Sequence, residues 1–351
     1  MPLRSRLSAA RREQTSVPRA LVGALAAGLG LALVLIAIES AIALSRQGGA
    51  GFDWYWYQDG LQRLANDRPL YDPILLSGPY DPYDPAHLFV FTLIPPSALP
   101  LMAPMELVPE PIRLSAWLLV MAGALAAALA MVWPRRLALT WQIALLGIVM
   151  LLGSGVLAQL YWANLNAVVA LGVALVWRGI RGRRDGLVAI GLVLIAVKVT
   201  PAICIGLWVL GSRGPRPILA AAGVLALLTL PAVLLEGPLV LADFVRSGLN
   251  LSQSTDTLNI APSLALRRIL GERAAVLITA VAGILAAIYA AVRDPARPAG
   301  LFVATLAGGF LIPALWVHWL TGPIVAALAW IDAKTRRETS LEDMPRTSLS
   351  E

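Results

Sequence analysis

Long apolar stretches separated by short polar segments run through most of the chain. A membrane-spanning helix needs about 20 apolar residues, and Leu21 to Ala43 and Leu114 to Trp133 are the clearest stretches of this kind. Their Leu, Ala, Val and Ile residues are nearly continuous and lack the alternation typical of barrel strands. Because a helix satisfies its own backbone hydrogen bonds in lipid, the pattern predicts an all-α, polytopic bundle of transmembrane helices.

Two of the apolar stretches are interrupted and predict shorter elements. Several prolines divide His87 to Met105, so we interpret this stretch as re-entrant or interfacial. Lys198, Thr200 and Pro201 interrupt Gly186 to Gly211, where we expect two half-length helices instead of one span. The remaining predicted spans cover residues 141–157, 165–177, 218–235, 275–292, 301–316 and 320–331.

The charged residues between the spans predict the orientation of the chain. Residues 1–20 contain several arginines, and the densest basic cluster follows the span that ends at Trp177. Basic segments next to a span tend to stay in the cytoplasm. We therefore expect a transmembrane domain over residues 21–331, in the plasma (inner) membrane, with both termini cytoplasmic. Its flanking segments are a basic N-terminus at 1–20, outer loops at 44–85 and 236–273, and a disordered tail at 332–351.

The composition supports a membrane protein and argues against several other classes. The chain is 58% hydrophobic and 14% charged, a balance that no soluble domain of this size could bury. The net charge of +7 does not indicate a nucleic-acid partner, because the arginines form short clusters instead of one soluble face. Cys204 is the only cysteine, which excludes an intrachain disulfide. The two histidines belong to no cluster at ligand spacing, so we expect no protein-bound metal.

A set of unusual polar residues is predicted to share the outer side of the membrane. A catalytic carboxylate benefits from partial burial, which raises its pKa from about 3.9, whereas a phosphate group needs fixed cations. Both kinds of side chain occur on this side. The residues are Asp53, Lys198, Arg267, Arg268 and His318.

Four segments, taken in order, carry a resemblance to a known family. They are Asp53-Trp54-Tyr55-Trp56-Tyr57 with residues 60–64 and 68–73, then Ala196 to Pro201 ending in Lys-x-Thr-Pro, then Asn259 to Arg268, and finally Trp316-Val317-His318-Trp319. From roughly the first span to the last, the chain resembles glycosyltransferase family 87, the polyprenyl-phosphate-mannose-dependent mannosyltransferases of the C-type class. Three places depart from the family pattern. An aromatic-Pro-Pro turn usually follows the first loop, whereas this chain has Tyr83-Asp84-Pro85-Ala86-His87 and a later Pro95-Pro96. Asn164-Leu165-Asn166 stands where Gln-x-Asn is expected, and Trp319 stands where a second histidine is common.

The resemblance implies an inverting membrane glycosyltransferase that moves a hexose, mannose in the family, from a polyprenyl phosphate to a glycolipid or envelope glycan on the outer face. It implies Asp53 as the general base and a lipid-linked sugar as co-substrate, with no metal or other cofactor. Lys198, Arg267 or Arg268, and His318 are the implied ligands of the donor phosphate. The candidate residues of the substrate groove are Tyr55, Tyr57, Asn166, Asn259 and Ser263.

Each of these interpretations has a structural alternative. Asp53 could cap the helix that follows it, and Lys198 could extend its side chain to the membrane surface. Arg267 and Arg268 could end a helix at the lipid headgroups. The aromatic residues of the first loop could be interfacial anchors. For the whole chain, the alternatives are a transporter or carrier with broken helices, and a non-catalytic partner in envelope assembly.

Overall fold

The computed structural model describes residues 51–71, 76, 94–151, 160, 162–251, 261–312 and 317–342. The basic N-terminal segment and the predicted first span, Leu21 to Ala43, lie outside these ranges, and so do Asn259 and residues 343–351. Every regular element in the described ranges is helical, which confirms the all-α prediction.

The α-helices of the described ranges are numbered here in chain order. They are α1 Phe52–Ala65, α2 Leu99–Met102, α3 Glu110–Val132, α4 Leu139–Leu151, α5 Asn166–Gly182, α6 Asp185–Ile195, α7 Val199–Arg213, α8 Arg216–Glu236, α9 Val240–Leu251, α10 Pro262–Leu270, α11 Glu272–Arg293, α12 Pro298–Phe310 and α13 Thr321–Glu342. Short 3₁₀ turns at Pro96–Ala98, Ala103–Leu107 and Val317–Leu320 connect some of them.

Three of these helices, α3, α8 and α11, are long and apolar enough to cross a membrane. The helices α4, α6, α7 and α12 are apolar but shorter. Each of the three long helices contains the corresponding predicted span almost completely. The chain is therefore a helical membrane protein, as the hydrophobic pattern predicted.

The stretch interrupted at Lys198 folds as two half-length helices, as predicted, while the re-entrant or interfacial placement of the proline-rich stretch stays a prediction. The proline-rich stretch forms α2 between two 3₁₀ turns and contains no spanning helix in its described part. Between α6 and α7, Lys198 has an extended backbone, with φ −127° and ψ 104°. Pro201 follows in the first turn of α7, where its missing N–H group costs no intrahelical hydrogen bond.

This break sends the chain from one group of helices to another. α5 packs against α3, α6 and α13, whereas α7 packs against α11 and α12. Contacts between α12 and α13 join the two groups, and α8 lies against α6 and the Pro96–Ala98 turn. Lys198 is therefore at the junction of the two groups.

Several helices begin or end away from the predicted bounds. α12 ends at Phe310, before the predicted end of its span at residue 316. The outer loop predicted at 236–273 contains α9 and α10, which bury Val240, Ser247 and Ser263 on one face. α5 continues to Gly182, beyond Trp177. α13 continues to Glu342, so the first part of the predicted disordered tail is helical.

The two ends of the bundle differ in their charged residues. One end carries Arg178, Arg181, Arg184, Arg213, Arg216, Arg293, Arg297 and Arg336, and we call it the arginine end. Contacts between helix termini connect these residues: Arg213 pairs with Asp185 at 2.6 Å, and Asp332 lies 2.8 Å from Arg336 and 3.5 Å from Arg181. Asp53 and Lys198 lie at the opposite end, which we call the Asp53 end. Which end faces the cytoplasm stays a prediction from the sequence.

The contact between α5 and α6 depends on two glycines that face each other. A Cβ atom on Gly191 would lie 2.7 Å from the carbonyl oxygen of Gly172, and one on Gly172 would lie 2.6 Å from that of Gly191. Small residues allow membrane helices to approach this closely. The close approach fixes the helix that leads into the Lys198 break.

We expect Gly191→Ala to lower the apparent melting temperature of the detergent-solubilised protein, because the added methyl group forces α5 and α6 apart at a cost of about 1–3 kcal/mol. Gly186→Ala is the matched control, since it changes the same helix at a position with open space around the glycine. Thermal unfolding at one fixed scan rate measures both variants. Equal melting temperatures for the two variants would contradict the close contact.

Candidate active site

The helix that carries Asp53 begins at a glycine held against another helix. Gly51, the N-terminal flanking residue of α1, has a φ of 76°, in the left-handed region that favours glycine. A Cβ atom at this position would lie 2.8 Å from the side chain of Leu114 in α3. One turn further on, the Trp54 ring packs on Trp117 of α3, with 4.9 Å between the ring centroids. These contacts fix α1 against the start of α3.

The turn that leads into α5 attaches to both of these helices. The Asp53 backbone N–H donates to the carbonyl oxygen of Trp162 at 3.0 Å. The indole N–H of Trp117 donates to the carbonyl oxygen of Ala163 at 2.9 Å, and Ala163 has a left-handed φ of 59°. The backbone around Asp53 is therefore held by two helices and one turn.

Asn164 connects this turn to the Asp53 carboxylate. Its Oδ1 accepts a hydrogen bond from the Asn166 backbone N–H at 3.0 Å, and its Nδ2 donates to Asp53 Oδ2 at 2.5 Å. Because one end of the amide faces a donor and the other a carboxylate, the network defines the orientation of the side chain. Asp53, Asn164 and Asn166 are buried, with 9%, 3% and 2% of their surfaces exposed.

Asp53 is not the cap of α1. Gly51 occupies the capping position, and Asp53 is the second residue of the helix. Its carboxylate accepts the Asn164 hydrogen bond instead. The capping alternative raised by the sequence is therefore not what the structure shows.

The electrostatic environment of Asp53 combines burial with one nearby cation. Burial raises the pKa of the Asp53 carboxyl above its ordinary value, while the positive charge of Lys198 and the Asn164 hydrogen bond oppose this rise. Burial and the negative charge of Asp53 together raise the pKa of Tyr57, so its phenol stays neutral. Asp53, Lys198 and Tyr57 thus belong to one electrostatically coupled group.

Packing connects the Lys198 break to the helix that carries Arg267 and Arg268. Pro201, in the first turn after Lys198, lies against Gly308 of α12, and the next residue, Gly309, lies against the ring of Trp319. Trp319 is part of a small apolar cluster with Ala261, at the start of α10. This cluster connects the Lys198 break to the helix that carries Arg267 and Arg268.

The structure distinguishes Arg267 from Arg268 by their exposure, which the sequence could not do. The Arg267 side chain is 17% exposed and lies 3.8 Å from Glu272, whereas Arg268 is exposed. Within the described part of the chain, no contact joins either arginine directly to Asp53. Arg267 is therefore the better candidate for a ligand contact.

The remaining predicted site residues have different placements. Asn166 and Ser263 are buried at the start of α5 and α10, and Tyr57 is buried beside Asp53, so Tyr57 is not an interfacial anchor. Tyr55 is 55% exposed. His318 lies in the Val317–Leu320 turn, but its side chain is outside the described structure, as is Asn259.

Asn164 is the site residue that the sequence analysis missed. The sequence showed Asn164-Leu165-Asn166 in place of the family's Gln-x-Asn, but the sequence analysis gave Asn164 no role. Asparagine just before a helix commonly bonds to a backbone N–H group, and this signal could have predicted the contact with Asn166. The contact with Asp53, more than one hundred residues earlier in the chain, has no local signal.

Comparison with known proteins gives one match. The sequence model of Glycosyltransferase family 87 matches residues 91–334, most of the chain. Asn164, Lys198 and Arg267 lie in the matched segment, whereas α1 with Asp53 precedes it. No curated protein and no solved structure matches.

We expect Lys198→Met to raise the pKa of Asp53 further, because the substitution removes the cation that favours the carboxylate. Hydrophobic carbodiimides react with protonated carboxyl groups, so labelling of the peptide that contains Asp53 should continue to a higher pH in this variant. Mass spectrometry of labelled protein over a pH series measures the shift. Lys334→Met, which removes the other lysine of the chain, is the control. An unchanged labelling profile in Lys198→Met would refute the coupling.

Proposed function

This chain belongs to glycosyltransferase family 87, and on that premise we propose that it transfers a hexose, most simply mannose, from a polyprenyl phosphate to a glycolipid or envelope glycan. Membership in a family of transferases favours an enzyme over the transporter and the non-catalytic partner. The observation that carries the proposal is the buried Asp53 carboxylate, held by Asn164 and placed near the charge of Lys198.

Asp53 has the properties of a general base. Asn164 occupies Oδ2, and within the described part of the chain no hydrogen bond involves Oδ1. An acceptor hydroxyl can therefore donate its proton to Oδ1. Burial supplies the raised pKa that makes a carboxylate a better base near neutral pH. The hydrogen bonds to the backbone and side chain of Asp53 keep this oxygen in a fixed position.

The proposed reaction is a single displacement. The acceptor hydroxyl oxygen forms a bond to the anomeric carbon while the bond from that carbon to the phosphate oxygen breaks. The hydroxyl proton moves to Asp53, and the electron pair leaves with the polyprenyl phosphate. Because the attacking and leaving oxygens are on opposite faces, the configuration at the anomeric carbon is inverted.

The cations at the Asp53 end would compensate the charge of the leaving phosphate. Lys198 is at the break between α6 and α7, and Arg267 is on α10 at the same end of the bundle. A half-buried cation stabilises developing phosphate charge more strongly than an exposed one, because water screens it less. The proposal assigns this role to side chains and requires no metal ion. His318 is a further candidate ligand of the phosphate.

The two ends of the bundle support a membrane orientation for this reaction. Positively charged helix ends favour the cytoplasm, which would leave the Asp53 end at the outer face of the plasma membrane. There the lipid donor would present its phosphate at the depth of the headgroups, and the acceptor would approach from outside. Both termini would then be cytoplasmic.

We expect Asp53→Asn to reduce kcat by about 10² to 10⁴-fold, because the amide cannot accept the hydroxyl proton. Purified protein supplied with polyprenyl-phosphate-mannose and a membrane extract gives the rate, measured as mannosylated product. Asp67→Asn is the control, since Asp67 is exposed and asparagine tolerates its left-handed backbone, with φ 52°. Near-wild-type turnover in Asp53→Asn would show that Asp53 is not the base.

We expect Arg267→Gln to raise the KM for the donor about tenfold, because a charge-assisted contact to phosphate is lost. Arg268→Gln serves as the matched control one residue away and should leave KM within about twofold, as expected for an exposed charge. Initial rates over a donor concentration series separate KM from kcat. Equal effects of the two substitutions, or a larger effect of Arg268→Gln, would contradict the assignment.

A further inference from the structure

A second charged site lies at the arginine end, across the bundle from Asp53. A cavity of about 330 Å³ opens where α5 ends and α6 begins, lined by Arg178, Arg181, Gly182, Arg184 and Leu187. We call it the Arg178 pocket. It lies at the end of α5, the tight turn that follows and the start of α6.

The cations of this pocket outnumber the acids. Arg178 and Arg184 are exposed, and in the described structure neither forms an ion pair. Arg178 and Arg336 both lie close enough to Arg181 to repel its charge. The nearby carboxylate of Asp185 is already bound by Arg213, with contacts of 2.9 and 2.6 Å. The pocket therefore keeps an excess of positive charge.

One of the arginines is held in place by a buried acid from a different helix. Asp332 of α13 is 2% exposed, and its Oδ2 lies 3.5 Å from Arg181 and 2.8 Å from Arg336. The guanidinium of Arg181 also lies 6.0 Å from the ring centroid of Trp177, within the range of a cation–π contact. These contacts fix one wall of the pocket before any ligand arrives.

From this arrangement we infer that the Arg178 pocket binds a phosphate group, presented by an anionic phospholipid headgroup or free in solution. Guanidinium groups form paired hydrogen bonds to phosphate oxygens, and clustered arginines between membrane helices attract anionic headgroups. Leu187 adds an apolar wall beside the charged ones. The site is separate from the proposed donor site and does not depend on the proposed reaction.

Lipid binding to the purified full-length protein tests this inference. Phosphatidylglycerol, phosphatidylcholine and inorganic phosphate are each titrated against protein in a neutral detergent, and native mass spectrometry measures the bound fraction of each. The pocket variant is Arg178→Gln with Arg184→Gln. The control is Arg216→Gln with Arg293→Gln, which removes the same charge from exposed positions at the same end.

We expect the pocket variant to bind phosphatidylglycerol at least about tenfold more weakly than wild type, from roughly fivefold for each arginine. The control should remain within about twofold of wild type. The single variant Arg184→Gln should give an intermediate loss, which keeps the test decisive if the double variant is unstable.

The arms of the experiment also distinguish the source of the phosphate. A selective loss of phosphatidylglycerol binding supports a lipid headgroup, and a selective loss of inorganic phosphate binding, without a preference for the anionic lipid, supports a free anion. Equal losses in the pocket variant and the control, or no loss in the pocket variant, would overturn the inference.

Discussion

The hydrogen bond from the Asn164 side chain to Asp53 is the contact on which the rest of the site depends. It joins α1 to the start of α5, and through α5 to α3, α6 and α13. Without it, the carboxylate would be a buried acid with one nearby cation and no neutral donor. With it, Oδ2 is occupied, and Oδ1, which has no hydrogen bond among the described residues, is the oxygen to which the proposed reaction assigns the proton.

The two ends of the bundle carry different sets of charged residues. At the Asp53 end, the buried Asp53 carboxylate lies beside the buried Asn164 and Asn166, and Lys198 is at the break between α6 and α7. At the arginine end, many guanidinium groups share few carboxylates, of which Asp332 is buried. A membrane-spanning bundle places its charged residues at its two ends, because a charge in the middle of the bilayer is costly and a charge at either surface is not.

The sequence predicted the features that leave a local signal. Lys198 and Pro201 within an apolar stretch predicted the break between α6 and α7, and the prolines after His87 predicted a re-entrant or interfacial segment instead of a simple span. The burial of Tyr57 and the role of Asn164 were not predicted, because both depend on contacts between segments far apart in the chain. The helices α9 and α10 were missed because amphipathic helices at a membrane surface have the polarity of loops.

A structure of the full-length protein with a polyprenyl-phosphate sugar bound tests the central claim most directly. The account predicts the donor phosphate against Lys198, with the Asp53 carboxylate facing the anomeric carbon from the side opposite the phosphate. A sugar bound far from Asp53, or a phosphate that contacts none of the cations at the Asp53 end, would contradict it.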